Sequence, residues 1–264
     1  MNKERADLLL FKLGLTESRE KAKRLILAGE VFANGKRIEK PGQQLSIDAE
    51  ITIKNKNPYV SRGGMKLAHA LEYFNISPHG KVVADLGAST GGFTDCLLQK
   101  GAKKVYAIDV DTKQLDWRLR QNPNVILVEK NARFLERSDF QEEIDIVTMD
   151  LAFISILKVL PAVRRIIKED GDVISLIKPQ FEAGREKVGK GGVVKDKRIH
   201  RDVLIYVINN AKKLGFNFHG LIKSPIIGQK GNIEFFVHWN FNESNYSEIE
   251  LEKIIKKETN NEKN

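Results

Sequence analysis

A chain of 264 residues with 41% hydrophobic content can bury one sizeable core and carry a small satellite domain. Its single cysteine, Cys96, excludes an intrachain disulfide and suits a reducing, cytoplasmic setting, and five scattered histidines offer no ligand spacing for a structural metal. A net charge of +9 points instead to a polyanionic partner such as nucleic acid.

Residues 1–57 read as a first, small α+β domain. The opening run MNKERADLLLFKLGL is charged from its start and lacks a small-residue cleavage site, so it does not read as a secretory signal. Between residues 3 and 54 the pattern predicts a helix, a turn, a second helix and a strand pair joined by the two-residue turn Asn34-Gly35. The second helix starts at Ser18, a competent cap, and buries Ala22, Leu25 and Ile26 at helical spacing. Its other side carries Arg19, Lys21, Lys23 and Arg24, and Lys36 and Arg37 follow the hairpin turn. Residues 1–60 hold 12 basic and 8 acidic side chains, a net of +4. Such a face could meet backbone phosphates or simply be solvated, and the charge pattern leaves both readings open.

The run LLLFKLGLTESREKAKRLILAGEVFANGKRIEKPGQQL resembles the small RNA-binding domain of the S4 type, named after a small-subunit ribosomal protein. The likeness rests on Gly14-Leu15, Ser18-Arg19, Ala22, Leu25-Ile26, Gly29, Val31, Asn34-Gly35 and Lys40-Pro41. It implies binding of structured RNA by shape and phosphate contact more than by base sequence. Arg5, Ser18, Arg19, Lys23, Arg24, Lys36 and Arg37 are the candidate contacts here, with Arg62 beyond a linker at residues 58–61. Pro58 favours an extended residue before it.

Residues 62–245 form the second predicted domain. A helix covers residues 66–74, and strands fall near 81, 104, 125, 144 and 172 with helical segments between them. This alternation predicts a mainly parallel, doubly wound, Rossmann-like α/β sheet whose ligand lies at the carboxyl ends of the strands. The apolar stretch at 144–163 is interrupted by Asp145, Asp150 and Lys158, which disqualifies it as a membrane span.

The most informative segment is KVVADLGASTGGF at residues 81–93, an apolar strand running into a glycine loop and then a helix, the architecture that holds a nucleoside cofactor. Its Gly-x-x-x-Gly-Gly spacing differs from the Gly-x-Gly-x-x-Gly of dinucleotide oxidoreductases, and no Gly-Lys-Ser/Thr is present to cradle a triphosphate. The next strand ends in Asp109, 22 residues after Gly87, near the roughly 20-residue offset at which an acid meets ribose hydroxyls. Asp85 at the end of the first strand suits a positively charged ligand such as S-adenosylmethionine. Gly87, Ala88, Ser89, Thr90, Gly91, Gly92 and Phe93 are expected to wrap its methionine end, with Asp85 beside the charged groups and Asp109 on the ribose. Asn131 and Ala132 are expected at the adenine, although Asn131 could equally just start a turn. Val110 and Leu115 stay outside the firm set. Asp150 and Lys178 each close an apolar strand, and Glu234 sits within a last one, NIEFFVHW. Burying Glu234 unpaired would be costly, so it is either solvated or paired with a cation.

The motifs YVSRGGMKL, DLGASTGGFTD, DLAFIS, LIKPQFE, GKGGVV and GNIEFF, in this order, resemble the TlyA family of ribosomal RNA 2′-O-ribose methyltransferases, once labelled hemolysins. The likeness spans roughly residues 3–240. It implies a seven-stranded methyltransferase sheet, S-adenosylmethionine as cofactor, no metal, and a Lys-Asp-Lys-Glu tetrad shared with FtsJ-type enzymes, which falls on Lys66, Asp150, Lys178 and Glu234. Lys178 would activate the 2′-hydroxyl, as general base if neutral or by orienting it if charged. The implied substrate is ribosomal RNA, at cytidines of the large and in some members the small subunit, with assembled subunits favoured over naked RNA. A monomer is expected. Ala152 departs from the family, which commonly has serine there.

Residues 182–201, with four glycines and many basic side chains, are expected to form a mobile flap in which Arg185 and Lys187 add RNA affinity. The tail after Tyr246 is expected to form a short helix, IELEKIIKK, before fraying. A noncatalytic RNA-binding or ribosome-assembly factor is the rival reading, against which a complete tetrad argues. Membrane lysis is disfavoured because neither a spanning helix nor a strongly apolar amphipathic face is evident.

Overall fold

The computed structural model describes residues 3–53, 57–244 and 246–260, and the chain divides into two units, Met1–Asn57 and Pro58–Asn264. The first unit runs β1 (Lys3–Arg5), α1 (Ala6–Lys12), α2 (Arg19–Leu27), β2 (Val31–Ala33), β3 (Lys36–Arg37), β4 (Gln44–Ser46) and β5 (Ile51–Ile53). Leu9 and Leu10 of α1 meet Ala22 and Ile26 of α2 over Val31, Ile38 and Leu45. The Ser18 hydroxyl accepts from the Lys21 N–H at 3.1 Å and so starts α2 as expected. The β2–β3 hairpin turns on Asn34 (φ 46°) and Gly35 (φ 75°), the two left-handed positions a two-residue turn needs. β2 also pairs with β5, and β1 pairs with β4, all antiparallel.

The larger unit contains α3 (Arg62–Tyr73), β6 (Val82–Leu86), α4 (Gly92–Gln99), β7 (Lys104–Asp109), α5 (Trp117–Arg120), β8 (Val125–Glu129), β9 (Ile144–Met149), α6 (Leu160–Ile166), β10 (Ile167–Ile177), α7 (Pro179–Glu182), α8 (Lys197–Lys213), β11 (Asn217–Lys223), β12 (Phe235–Asn240) and α9 (Glu248–Asn260). Its seven strands lie in the order β11-β12-β10-β9-β6-β7-β8. All neighbours are parallel except β12, which is antiparallel to both β10 and β11. All five residues of β6 are buried, as a central strand covered on both faces requires. One apolar layer joins Leu67 and Leu71 of α3 to Phe93 and Leu97 of α4, and the other joins Val163 of α6 to Leu204 and Ile208 of α8.

Two features of this topology position the site. From β6 the sheet grows outward through β7 to β8 and then returns to β9 on the other side, so the carboxyl ends of β6 and β9 flank the point where strand order reverses. In addition, the reversed β12 pairs Phe235 with Ile177, so the residue just before β12 and the residue just after β10 share one sheet edge. Those residues are Glu234 and Lys178.

The stretch expected as a linker is bonded to the larger unit: the Val60 N–H donates to Asp95 at 2.8 Å, the Pro58 carbonyl accepts from Gln99 at 2.9 Å, and Ser61 caps α3. The short helix expected after Tyr246 is present as α9 and runs three residues further than IELEKIIKK, to Asn260. Ile255 and Thr259 are buried, and Glu258 accepts from the Lys223 N–H at 2.9 Å, which fastens α9 to β11.

Candidate active site

Gly87 follows β6 with φ +83°, and a Cβ there would lie 2.7 Å from the backbone oxygen of Asp150. Only glycine therefore lets the ends of β6 and β9 come this close. Gly91 (φ +94°) begins α4, and a side chain on it would strike Leu119 at 2.3 Å and Leu115 at 2.9 Å. The intervening Ser89 donates its N–H to the Asp109 carboxylate at 2.8 Å, so the end of β7 holds the loop.

Two adjoining cavities open at this edge. One, of about 450 Å³, is lined by all four tetrad side chains together with loop residues Ala88, Thr90, Gly92 and Phe93. The other, of about 730 Å³, is lined by Asp109, Val110, Asn131 and Ala132. Gly87, Ser89, Asp150, Ala152, Phe153 and Phe181 border both.

The tetrad is arranged as two ion pairs. Lys66 Nζ donates to Glu234 Oε2 at 2.6 Å, with side-chain exposures of 12% and 4%. Lys178 Nζ lies 2.6 Å from Asp150 Oδ1, a buried oxygen. That contact is too poorly angled for a directed hydrogen bond and is best described as an ion pair. Glu234 precedes β12 rather than lying within it, and of the two alternatives left open for it, pairing with a cation is the one observed.

Asp85 departs from expectation. It is wholly buried and lines neither cavity, because its two oxygens accept the hydroxyls of Thr94 at 2.7 Å and Thr148 at 2.9 Å. Direct contact with a cofactor would require one of these bonds to give way. Burial pushes its carboxyl up to about 7 against the two hydroxyl bonds. The folded state thus holds a proton that the unfolded chain, with its ordinary value of 3.8, releases. Stability from this group is full below about pH 4 and declines up to about pH 7, at no more than roughly 1.4 kcal/mol per pH unit. Asp85→Asn should remove this slope. Urea unfolding from pH 4 to 8 should therefore show the variant gaining on the wild type as pH rises, whereas a constant difference would contradict the assignment.

Gly91 lines neither cavity and acts through packing. Asn131 serves both readings offered for it, since it borders the second cavity and its Oδ1 accepts from the Arg133 N–H at 3.0 Å to start a turn. Among the RNA candidates, Arg24, Lys36, Arg185 and Lys187 are exposed, and Arg62 is both exposed and on the rim of the first cavity. Lys23 pairs with Glu20 at 2.6 Å, Arg37 lies over Gly29, and Arg5 and Arg19 converge on Asp7. The Ser18 hydroxyl serves the helix cap.

The segment expected to be a flap is anchored at its far end. Asn232, 3% exposed, accepts from the Val194 N–H at 3.1 Å and donates to the Gly192 carbonyl at 2.9 Å, and residues 197–201 already belong to α8. Phe153, which sequence reasoning passed over, is 90% exposed with φ +62° and has its ring centroid 5.1 Å from that of Phe181. An exposed phenylalanine in a left-handed conformation is a costly arrangement, and such strain concentrates at functional sites. Its presence in the motif DLAFIS was the available signal, but an apolar residue in a loop reads as packing.

Residues 59–241 match the FtsJ-like methyltransferase family, and residues 4–51 match the S4 domain. The chain belongs to the FtsJ-like methyltransferase family. This FtsJ-like chain is 42% identical over 236 residues to the 16S/23S rRNA (cytidine-2′-O)-methyltransferase TlyA of Mycobacterium tuberculosis, covering 88% of each protein. It is 41% identical over 237 residues to hemolysin A of Brachyspira hyodysenteriae, covering 89% of this chain and 99% of that one. A solved structure described as a hemolysin from Streptococcus thermophilus aligns with a TM-score of 0.75 at 45% identity, over 97% of this chain and 96% of the other. Among the described residues of the FtsJ-like chain, no helix is long and apolar enough to cross a membrane.

Proposed function

We propose that this FtsJ-like, S4-bearing chain transfers a methyl group from S-adenosylmethionine to the 2′-hydroxyl of a cytidine in ribosomal RNA within an assembled subunit. The observation that carries this reading is Asp150, on the border of two adjoining cavities, one rimmed by Asp109 and Asn131 and the other by Lys66 and Glu234, paired there with Lys178 of the latter cavity.

The residues present fit the cofactor. A glycine loop that a Cβ would close on Asp150, a carboxylate at the end of β7 and a second cavity of about 730 Å³ suit a nucleoside with a charged amino-acid arm. Asp109 would hold the ribose, Asn131 and Ala132 would meet the base, and residues 87–93 would receive the methionine end. When bound, S-adenosylmethionine supplies a methyl group on an excellent sulfonium leaving group.

What is left to the protein is alignment and removal of the hydroxyl proton. Lys178 Nζ, held by Asp150, is the group beside the hydroxyl: as the charged ammonium it orients the oxygen, and only after releasing a proton to solvent can the neutral amine take up the hydroxyl proton. Lys66, fixed by Glu234, adds a positive charge that steadies oxygen as it becomes negative. Arg62, Arg185 and Lys187 would engage phosphates near the site, while Arg5, Arg19, Lys23, Arg24, Lys36 and Arg37 of the first unit would read RNA shape.

Phe153 and Phe181 border both cavities and give a target base an aromatic surface outside its helix. Phe153→Ala should lower kcat/KM by about 10- to 100-fold through the loss of stacking, with a smaller loss of cofactor affinity by calorimetry because the ring also borders the second cavity. An unaltered kcat/KM would remove the residue from the site.

The reading as a whole is tested by transferring a labelled methyl group from S-adenosylmethionine to purified small and large subunits and digesting the RNA to nucleosides. Label in 2′-O-methylcytidine is the expected result and names the subunit. No label on either subunit, with cofactor binding intact, would favour a noncatalytic RNA-binding role.

A further inference from the structure

Asp7 stands in the first turn of α1 and is wholly buried, where an unpaired carboxylate would be strongly destabilising. Both of its oxygens are taken by arginines. Oδ1 accepts from Arg5 Nε at 3.0 Å, and Oδ2 accepts from Arg5 Nη2 at 3.2 Å and from Arg19 Nε at 3.0 Å. The Arg5 guanidinium first, and then that of Arg19, hold the Asp7 carboxyl below its ordinary range, so it stays ionised.

The arginine side chains themselves remain 45% and 46% exposed. Each is gripped along its inner edge, and these bonds leave Arg5 Nη1 and both Nη atoms of Arg19 unused. Pairing the buried carboxylate contributes to stability, but that role does not call for two arginines on one carboxylate with nearly half of each side chain left in solvent.

We propose that Asp7 is a positioning residue for RNA binding, clamping Arg5 and Arg19 on one carboxylate so that their outer N–H groups meet neighbouring phosphates already oriented. This rests on the reading of the first unit as RNA-binding. An arginine ordered before binding gives up less conformational entropy when the phosphate arrives, which is where the affinity gain originates. The motif was invisible in the sequence because Asp7 and Arg19 lie 12 residues apart on different helices and Asp7 counts as one acid in a basic module.

Asp7→Asn separates this idea from simple electrostatics, because the two predict opposite signs. The substitution makes the chain more positive, so charge alone would tighten binding to a polyanion. Loss of the clamp should instead weaken binding of the full chain to purified ribosomal subunits by roughly tenfold at matched salt. Unchanged or tighter binding overturns the proposal.

To separate an effect through the fold, the Asp7→Asn substitution is repeated in an Arg5→Ala, Arg19→Ala background. There the clamp has nothing to hold, and Asp7→Asn should change affinity by less than about twofold. An equal loss in both backgrounds would mark a merely structural role and overturn the clamp. If the double arginine variant itself binds like the wild type, the RNA reading of these arginines fails, and the clamp fails with it. If the double variant is weakened while Asp7→Asn alone is not, only the clamp fails.

Discussion

Lys178→Ala should lower the single-turnover rate of methyl transfer by about 10²- to 10⁴-fold, the range a positioned proton acceptor contributes, while leaving S-adenosylmethionine affinity within about threefold. The separation follows from geometry. Lys178 lines the cavity of about 450 Å³ with the other tetrad residues and is absent from the lining of the cavity where Asp109, Asn131 and Ala132 lie. Truncating its side chain also leaves the buried Asp150 Oδ1 without its partner at 2.6 Å, so the loop after β9 loses a tether as well as the site losing its amine.

Lys178→Arg divides these contributions. A guanidinium can still pair with Asp150 but does not give up its proton under ordinary conditions. The arginine variant should therefore stay within about tenfold of the alanine variant. Recovery to near the wild-type rate would assign Lys178 to orienting the hydroxyl and leave proton removal to water. Calorimetry for the cofactor and rapid-quench kinetics on ribosomal subunits provide both readouts.

Gly87→Ala should behave differently, with transfer and cofactor affinity failing together. Its φ of +83° is one that an L side chain rarely adopts, and the added Cβ would fall 2.7 Å from a backbone oxygen of Asp150. That contact cannot be relieved by a side-chain rotation. Either the glycine loop or the end of β9 must move, and both border the two cavities. Left-handed strain and overpacking together suggest a stability loss of about 2–4 kcal/mol, seen as a melting temperature lower by roughly 5–15 °C. A displacement of this size at the catalytic edge should lower transfer by about 10²-fold or more even in the folded fraction. A variant that melts, binds cofactor and transfers methyl like the wild type would show that the close approach of β6 and β9 is unimportant.

Much of this architecture is legible in the sequence, for identifiable reasons. Buried parallel strands such as VVADL and IDIVTM are nearly continuous apolar runs, and their ends are marked by the polar residues that form the site. The four tetrad positions were identified as a set through the family resemblance, whereas the loop-to-Asp109 spacing could be read from the residues alone. Strand β11 was missed because Asn217, His219 and Gly220 interrupt its apolar run, although Phe218 and Leu221 pack into the core. The strands β1, β4 and β5 are three residues each, too short for alternation to register.

The sequence could not reveal long-range polar contacts. Asp85 looked like a cofactor ligand because it ends a strand beside the glycine loop, and only Thr148, 63 residues away, shows that its second oxygen is already taken. Asn232 reads as the first residue of the last apolar strand, NIEFFVHW, yet it anchors Gly192 and Val194 some 40 residues earlier. The exposure of Phe153 is likewise a property of the folded loop. In each case the informative quantity is a distance between segments, which spacing along the chain does not encode.

The most direct test of the central claim, that the two adjoining cavities are the cofactor and nucleotide halves of one site, is a crystal structure with S-adenosylhomocysteine. The adenosine should lie between Asp109 and Asn131, the amino-acid arm along the glycine loop, and the sulfur should face Lys178 Nζ across the border formed by Gly87 and Phe153. An adenosine lodged among Lys66 and Glu234, or a sulfur turned away from Lys178, would contradict that claim.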